Sequence, residues 1–245
     1  MSKKGIILTQ DSRYGTREQK SRKIIAIIQD CIDQDLSELS CLDVGCSTGG
    51  ITNNLAPYFH EMIGVDIDHD LVTQARQSSK VNQEYFSIAS AHNLPFGDQN
   101  FDVAICAQVY EHVSDQSALA EEIWRILKPG GICFFSGPNR LKIMEEHYWL
   151  PFLSWLPRPL ANLYMRVFKR GAFYDAYPLF YWQIRNLWNG FEIFDYMPEI
   201  LRDPERFELN DDLRSGNWIR NLPTWIIDAL APLYPNYNWI LKKSL

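Results

Sequence analysis

The stretch CLDVGCSTGG, Cys41–Gly50, places a short apolar run and an acid directly before a loop of glycines and other small residues. The run CLDV is typical of a buried strand, and the following GITNNLAPYF is typical of a helix. Glycines in such a loop have one of two roles. They either allow the backbone conformation of a tight turn, or they let a ligand approach the backbone closely. The surrounding sequence has to decide between the two.

The rest of the front half alternates in the same way. Strand-like pieces EMIGVDI, EYFSIAS, FDVAICAQV and GICFFSGP are separated by the helix-like pieces DLVTQARQSS and SALAEEIWRIL, and SRKIIAIIQDCI predicts a helix before the first strand. Strands and helices that alternate through short connections predict an α/β fold with a doubly wound, mostly parallel sheet. Ligands of such sheets bind beyond the carboxyl ends of the strands.

Two acids favour a nucleoside-like ligand at this loop. Asp66 ends the second strand-like piece, 23 residues after Asp43, and a carboxylate there can accept both hydroxyls of a ribose. The glycine spacing differs from the dinucleotide pattern G-x-G-x-x-G, since Ser47 stands where the second glycine would fall. Asp43, two residues before the first glycine, suits a cationic ligand better than a pyrophosphate.

These features together resemble the class I S-adenosylmethionine-dependent methyltransferases. The resemblance continues through VDID, LPFGDQNFDVAICAQVYEHV, EEIWRILKPGG and ICFFSGPN, in the family's order over residues 42–139, and YNWILKK is similar to the family's closing strand. It is closest to the broad subgroup that acts on small molecules, quinones and sugars. The resemblance implies S-adenosyl-L-methionine as cofactor, a seven-stranded Rossmann-like sheet and methyl transfer to a small acceptor, with oxygen as the expected accepting atom.

The resemblance also implies roles for single residues. Asp43 would act on the cofactor's ammonium directly or through water, Asp66 on the ribose diol, and Ile67 on the adenine face. The family usually has an acid where this chain has Ser90, and serine is a weaker acceptor for the adenine amino group. His92 would either cover the adenine edge or lie at the surface beside a turn. The complete set implied to bind the cofactor is Asp43, Gly45, Cys46, Ser47, Gly49, Asp66, Ile67, Ser90, Ala91, His92 and Cys106.

Two histidines are candidates for the acceptor's proton. Methyl transfer is an in-line displacement that depends mainly on positioning, and a base adds on the order of 10²–10⁴-fold. His112, in YEHV after the fourth strand, is either that base or a packing residue at the strand–helix junction. His147, in EEHYWLPF after the fifth strand, is the alternative base, and Glu111 is expected to have a structural or orienting role. No metal site is predicted.

The back half of the chain has a different character. Residues 1–140 are predicted to form the N-terminal helix and cofactor-binding core, residues 141–180 an inserted helical cap, and residues 181–245 the completion of the sheet with a further insertion. Seven of the eight tryptophans follow position 148, and residues 147–174 contain four basic residues and no acid. Leu160, Leu163, Tyr164, Val167 and Phe168 share one helical face beside these basic residues. The face either packs on the sheet or meets a membrane surface or a lipid-linked acceptor.

Composition argues against several other classes of protein. The chain has 245 residues, 46% hydrophobic content and a net charge of −6, and residues 1–140 carry 18 acidic against 12 basic side chains, which argues against nucleic-acid binding. Five cysteines without a C-x-x-C predict reduced thiols and neither a disulfide framework nor a zinc site. The apolar stretches are too short for a membrane span or a secretory signal, so a cytoplasmic location is expected, with possible peripheral membrane contact. The alternatives are a noncatalytic S-adenosylmethionine-binding module and a nicotinamide oxidoreductase, and the oligomeric state is not predicted.

Overall fold

The described part of the protein forms one seven-stranded sheet with helices on both faces. The computed structural model describes residues 17–79, 85–209 and 222–245, so the opening segment in which no secretory signal was predicted lies outside it. The strands are β1 (Ser40–Val44), β2 (Glu61–Asp66), β3 (Phe86–Ile88), β4 (Phe101–Ala107), β5 (Leu127–Pro138), β6 (Glu192–Asp195) and β7 (Asn236–Lys242).

Eight α-helices lie in the described ranges. They are α1 (Arg17–Cys31), α2 (Gly50–Leu55), α3 (His69–Gln77), α4 (Gln116–Ile126), α5 (Arg158–Val167), α6 (Tyr181–Leu187), α7 (Met197–Arg202) and α8 (Thr224–Ala229). None of these helices combines the length and the apolar character that crossing a bilayer requires.

The strand order β3-β2-β1-β4-β5-β7-β6 confirms the predicted fold class. Strands β1 to β5 pair in parallel, and β7 runs antiparallel to both of its neighbours. The chain builds outward from β1 in one direction and then returns to build outward on the other side. The carboxyl ends of β1 and β4 therefore border the crevice at which this architecture binds ligands.

The strands bury both faces because consecutive side chains point to opposite sides. Cys41 packs with α1 on one face, while its neighbour Leu42 packs on the other with Trp188 and Trp239. Burying each large apolar side chain contributes about 1.5–3 kcal/mol, so the sheet rests on two substantial cores. This packing gives the strand ends a rigid base.

Several element boundaries differ from the prediction. The expected helix over GITNNLAPYF ends at Leu55 and continues only as a 3-10 turn, Ala56–Tyr58, which contains Pro57. The segment KPGG belongs to β5 rather than ending a helix, with Gly130 in a left-handed conformation. The sequence does not indicate strand β6, whose four residues alternate between exposed and half-buried.

The segment predicted as a helical cap, residues 141–180, contains only one α-helix. Around α5 the chain forms a 3-10 turn at Leu153–Trp155, an isolated bridge between Met144 and Pro151, and irregular backbone. Prolines supply the reason, because they remove backbone donors and disfavour helix at the preceding residue. We refer to residues 141–180 as the cap.

The apolar face of α5 does not pack on the sheet, which was the first of the two alternatives that the sequence left open. The helix is buried through Ala161 and Met165, which pack against other cap residues including Leu153 and Tyr174. Arg158 is also not an open basic residue, since its guanidinium donates to the backbone carbonyls of Tyr174 and Ala176. The predicted apolar face is between 52% and 65% exposed at four positions: Leu160, Leu163, Val167 and Phe168.

Candidate functional site

Two glycines of the loop at the carboxyl end of β1 have no room for a side chain, because neighbouring side chains contact the loop backbone. Gly45 and Gly49 have φ of 76° and 74°, a region that glycine adopts without steric cost. A Cβ on Gly45 would lie 2.5 Å from Val109, and one on Gly49 would lie 2.8 Å from Phe86. These two glycines therefore have backbone and packing reasons that are independent of any ligand.

The same loop holds Asp66 in place at the end of β2. The Ser47 amide donates to Asp66 Oδ2 at 2.8 Å, and the Asp68 amide donates to Asp66 Oδ1 at 2.9 Å. Ser47 adopts a φ of 53°, so the position expected for a glycine keeps the left-handed backbone despite its side chain. Each carboxylate oxygen has a second lone pair, and Asp66 can accept further hydrogen bonds from a ligand.

Asp43 is buried in the floor of the site. Its Oδ2 accepts a hydrogen bond from the Thr52 hydroxyl at 2.6 Å, a partner that the sequence analysis did not identify. Burial raises the pKa of Asp43 to about 7, with the Thr52 hydrogen bond opposing the rise. Asp43 also borders the cavity on the α1 side of the loop, where a cationic ligand group would favour its ionised form.

A cavity of about 430 Å³ lies between the ends of β2, β3 and β4. It brings together Asp66 and Ile67 with the predicted adenine-side residues Ser90, Ala91 and His92. The Ile67 side chain is 72% exposed, so an apolar surface is open to a flat ligand. His92 Nε2 accepts a hydrogen bond from the Asp115 amide at 3.4 Å, which ties the β3 loop to the start of α4.

A second cavity, of about 370 Å³, lies on the other side of the glycine loop. Gly45, Ser47 and Gln108 line both cavities, so the two join into one trough across the ends of β1 and β4. Lys20 and Lys23 of α1 line the second cavity. Cys46 and Asp43, both predicted to act on the cofactor, border it as well.

Two predicted cofactor residues lie elsewhere. Cys106 is buried in β4 among the core side chains and lines neither cavity, because its place in the strand points it into the sheet packing. Gly49 also lines neither cavity and instead precedes α2 as its N-cap. Gln108, two residues after Cys106, occupies the trough with a φ of 59°. Its position directly after a central strand was the signal that could have identified it.

The two histidines that the sequence offered as alternatives lie in contact. His112 Nε2 and His147 Nε2 are 3.2 Å apart, and the rings are nearly perpendicular, with an interplanar angle of 87°. His147 Nδ1 lies 2.9 Å from Glu145 Oε1. Burial alone would lower the pKa of His147, but the hydrogen bond and charge of Glu145 outweigh it and raise that pKa, whereas burial and the neighbouring His147 lower the pKa of His112.

Glu111 is the third member of this cluster. It is fully buried, and apart from its own nearby backbone amide no residue that the structure describes donates a hydrogen bond to either carboxylate oxygen. Burial raises its pKa to about 7. Glu111, His112 and His147 each offer one potential metal-ligand atom, and these three atoms lie within 4.8 Å of one another. His112 also lines the cavity beside Asp66, so the cluster borders the trough.

Comparison with known proteins agrees with this fold. Residues 42–135 match the family model described as a methyltransferase domain. That span begins in β1, ends in β5 and includes the glycine loop, Asp66 and His112. Over this span the chain matches a methyltransferase domain, and its sheet has the class I strand order.

The curated relatives of this methyltransferase domain include enzymes named ubiquinone biosynthesis O-methyltransferase. The one from Rickettsia bellii is 30% identical over 152 residues, which cover 58% of this chain and 60% of the relative. The one from Pseudomonas fluorescens strain Pf-5 is 38% identical over 105 residues, which cover 40% of this chain and 44% of the relative. The chain thus spans about half the length of the curated relatives it matches.

Solved structures extend the likeness of fold over nearly the whole chain. An S-adenosylmethionine-dependent methyltransferase from Mesorhizobium loti superposes with a TM-score of 0.57 at 13% identity, covering 94% of this chain and all of that one. The [4+2]-cyclase SpnF superposes with a TM-score of 0.56 at 19% identity, covering 91% of this chain and 82% of that one. Because a protein named as a cyclase shares the fold, the fold alone does not establish the reaction.

The residues of the trough fit S-adenosyl-L-methionine, the cofactor of this domain family. Asp66 has acceptor capacity for a ribose diol, and the exposed Ile67 offers an apolar wall for a base. A Cβ at Gly45 would meet Val109, so the loop carries no side chain at the point between the two cavities where the ligand would cross it. Asp43 lies on the side where the methionine ammonium is expected.

Proposed function

We propose that this protein transfers a methyl group from S-adenosyl-L-methionine to an oxygen of a small, hydrophobic or lipid-linked acceptor. The observation that carries the proposal is the continuous trough that joins the residues suited to the cofactor with the histidine cluster at its edge. The relatives named ubiquinone biosynthesis O-methyltransferase support oxygen as the accepting atom.

The chain's own residues would act mainly by positioning. The cofactor supplies a sulfonium-bound methyl group that is ready for in-line displacement. Asp66 and Ile67 hold the nucleoside end, and the glycine loop fixes the direction in which the methionine part leaves it. Orientation of this kind supplies up to about 7–11 kcal/mol of barrier reduction. His112 and His147 lie at the edge of the trough and would assist the departure of the acceptor's proton, which must leave as the O–CH₃ bond forms.

The first test separates methyl transfer from mere cofactor binding. His147→Ala should lower the methyl-transfer rate by roughly 10²-fold or more while leaving S-adenosylmethionine affinity nearly intact, because His147 lies in the cap and lines neither cavity. Turnover is measured with radiolabelled methyl donor on phenol and catechol acceptors and on lipid extracts, and affinity by calorimetry. His60→Ala, on the exposed surface after α2, is the matched control.

The outcomes distinguish the alternatives. Cofactor binding without transfer to any acceptor class would favour the noncatalytic binding module. Binding of NAD in place of S-adenosylmethionine would favour the oxidoreductase, against which the glycine spacing argues. An equal rate for His147→Ala and the wild type would remove the histidine cluster from the mechanism.

We also propose that the cap docks on an anionic lipid surface from which the acceptor is reached. The exposed face of α5 is apolar, and Phe173 beside it is exposed as well. Arg166, Lys169 and Arg170 are exposed next to this face, within a segment that has no acid between Glu146 and Asp175. At about 1 kcal/mol per basic residue, three residues supply roughly 3 kcal/mol, enough for reversible contact. The cytoplasmic location stays a prediction.

Vesicle sedimentation tests this contact. Wild-type protein should sediment with vesicles that contain phosphatidylglycerol at low ionic strength, and added salt should release it. The triple substitution of Arg166, Lys169 and Arg170 by Gln should reduce sedimentation, whereas Arg22→Gln on the exposed side of α1 should not. If the wild-type protein ignores such vesicles at low salt, the cap is a lid over a soluble acceptor.

A further inference from the structure

The strongest unexplained feature outside the cofactor trough is the carboxylate of Glu111. It is fully buried, and apart from its own nearby backbone amide no described residue donates a hydrogen bond to either oxygen. An unpaired buried carboxylate is expensive, and protonation does not solve the problem because the acid then has a donor that also needs a partner. Such a group calls for an ion or another polar partner.

Two histidine nitrogens lie beside this carboxylate. His112 Nε2 is 4.0 Å from Glu111 Oε1, and His147 Nε2 is 3.2 Å from His112 Nε2. Nitrogen ligands around one tetrahedral zinc ion are separated by about 3.3 Å, since each Zn–N bond is about 2.0–2.1 Å. The histidine spacing matches that value. A hydrogen bond between the histidines would explain their contact but would leave Glu111 unpartnered.

The cluster also has the outer support that metal-binding histidines have. His147 Nδ1 lies 2.9 Å from Glu145 Oε1, and the other oxygen of Glu145 accepts the Tyr148 amide at 2.7 Å. A carboxylate that accepts the distal N–H of a histidine fixes its tautomer and ring orientation, so that the opposite nitrogen is free to bind a metal. Glu145 is itself buried, which keeps this arrangement rigid.

The local charge points in the same direction. Glu111 and Glu145 are two buried carboxylates, and the nearby Lys142 ammonium forms an ion pair with Glu146. One divalent cation bound by two neutral histidines would balance the two carboxylates. With the ion bound, no buried charge in the cluster would be left uncompensated.

We propose that Glu111, His112 and His147 bind one divalent transition-metal ion, with Glu145 as the positioning residue of His147. Two histidines and one carboxylate form a set that leaves at least one coordination position open. Because His112 also lines the trough, the metal site would border the expected ligand cavity. The metal ion would lower the pKa of an acceptor oxygen that reached the open position, so that its proton could leave to solvent without a free histidine base; this last step rests on the proposed function, whereas metal binding does not.

Metal binding is tested on the full-length protein without a histidine tag. After chelator treatment, titration with ZnCl₂ by calorimetry should give one high-affinity site per chain, and Co²⁺ should give visible absorption bands of a site with nitrogen and oxygen ligands. Glu111→Gln, His112→Ala and His147→Ala should each lose the site. Glu145→Gln should weaken Zn²⁺ affinity by about 10–100-fold, the usual cost of losing an outer carboxylate partner. His60→Ala should bind like the wild type.

The proposal is overturned if wild-type protein binds no Zn²⁺ or Co²⁺, or if Glu111→Gln and His147→Ala retain the site with unchanged affinity. Far-UV circular dichroism identifies variants that fail to fold, and the Co²⁺ spectrum of the wild type decides the ligand set without them. Methyl turnover is measured separately. A metal-binding protein without methyl transfer would refute the proposed function and leave the metal site standing, and the opposite result would refute the metal site alone.

Discussion

At the scale of single residues, the site depends on acids whose neighbours determine what they can do. Asp66 was identified from its place at the end of a strand, and the loop amides of Ser47 and Asp68 fix its carboxylate. Asp43 was identified in the same way, but its hydroxyl partner Thr52 and its burial change its chemistry. A buried acid whose pKa lies near 7 can bind a cation by ionising as the ligand arrives.

The titration of Asp43 yields a stability prediction. Burial raises its pKa from 3.8 to about 7, so between these values the folded protein holds a proton that the unfolded chain releases. Stability of the ligand-free protein should therefore fall as pH rises through this window, by on the order of 4 kcal/mol from this group. Asp43→Asn should flatten the decline between pH 4 and 7 in urea unfolding, and the exposed Asp70→Asn should not. Parallel curves for wild type and Asp43→Asn would contradict the assignment.

At the scale of elements, α5 is the clearest departure from what its pattern indicates. An apolar stripe normally marks the buried side of a helix. Here the helix is buried through Ala161 and Met165 within a small cluster of cap residues, and Leu163 on the predicted inner face is exposed. An apolar face left open in this way marks an interaction surface more often than a fold defect.

A pair of substitutions in α5 tests this orientation. Met165→Ala should destabilise the cap by about 2–5 kcal/mol because it empties a packed position, whereas Leu163→Ala should change stability by less than about 0.5 kcal/mol. Hydrogen exchange of the cap amides and thermal unfolding measure the two effects. If Leu163→Ala proves the more destabilising variant, α5 packs in the opposite orientation to the one described.

At the scale of the whole molecule, the sheet places ligand chemistry from distant parts of the chain along one edge. The trough joins residues of α1, β1, β4 and the start of β7. A ligand that fills it bridges several elements and should stabilise the fold as a unit. At 100 times its dissociation constant, S-adenosylmethionine should add about 2.7 kcal/mol, or roughly 5–10 °C in melting temperature for a chain of this size. NAD at the same concentration should leave the melting temperature unchanged, and a comparable rise with NAD would overturn the cofactor assignment.

The amino-acid sequence by itself determined the alternating strands and helices, the glycine loop and the positions of Asp43 and Asp66. Each of these depends on a periodicity or a strand end that is local in the chain, and local patterns can be read directly. The ends of helices and strands were predicted less well, as in KPGG and GITNNLAPYF. Where an element ends depends on a proline or on pairing with a neighbouring strand.

Only the tertiary structure decided how the back half contributes to the site. His112 and His147 are 35 residues apart in sequence and come into contact because the cap folds back on the loop after β4. The unpartnered carboxylate of Glu111 and the outward face of α5 likewise result from packing between segments. No spacing rule encodes such contacts, since they depend on where irregular, proline-rich backbone places each side chain in space.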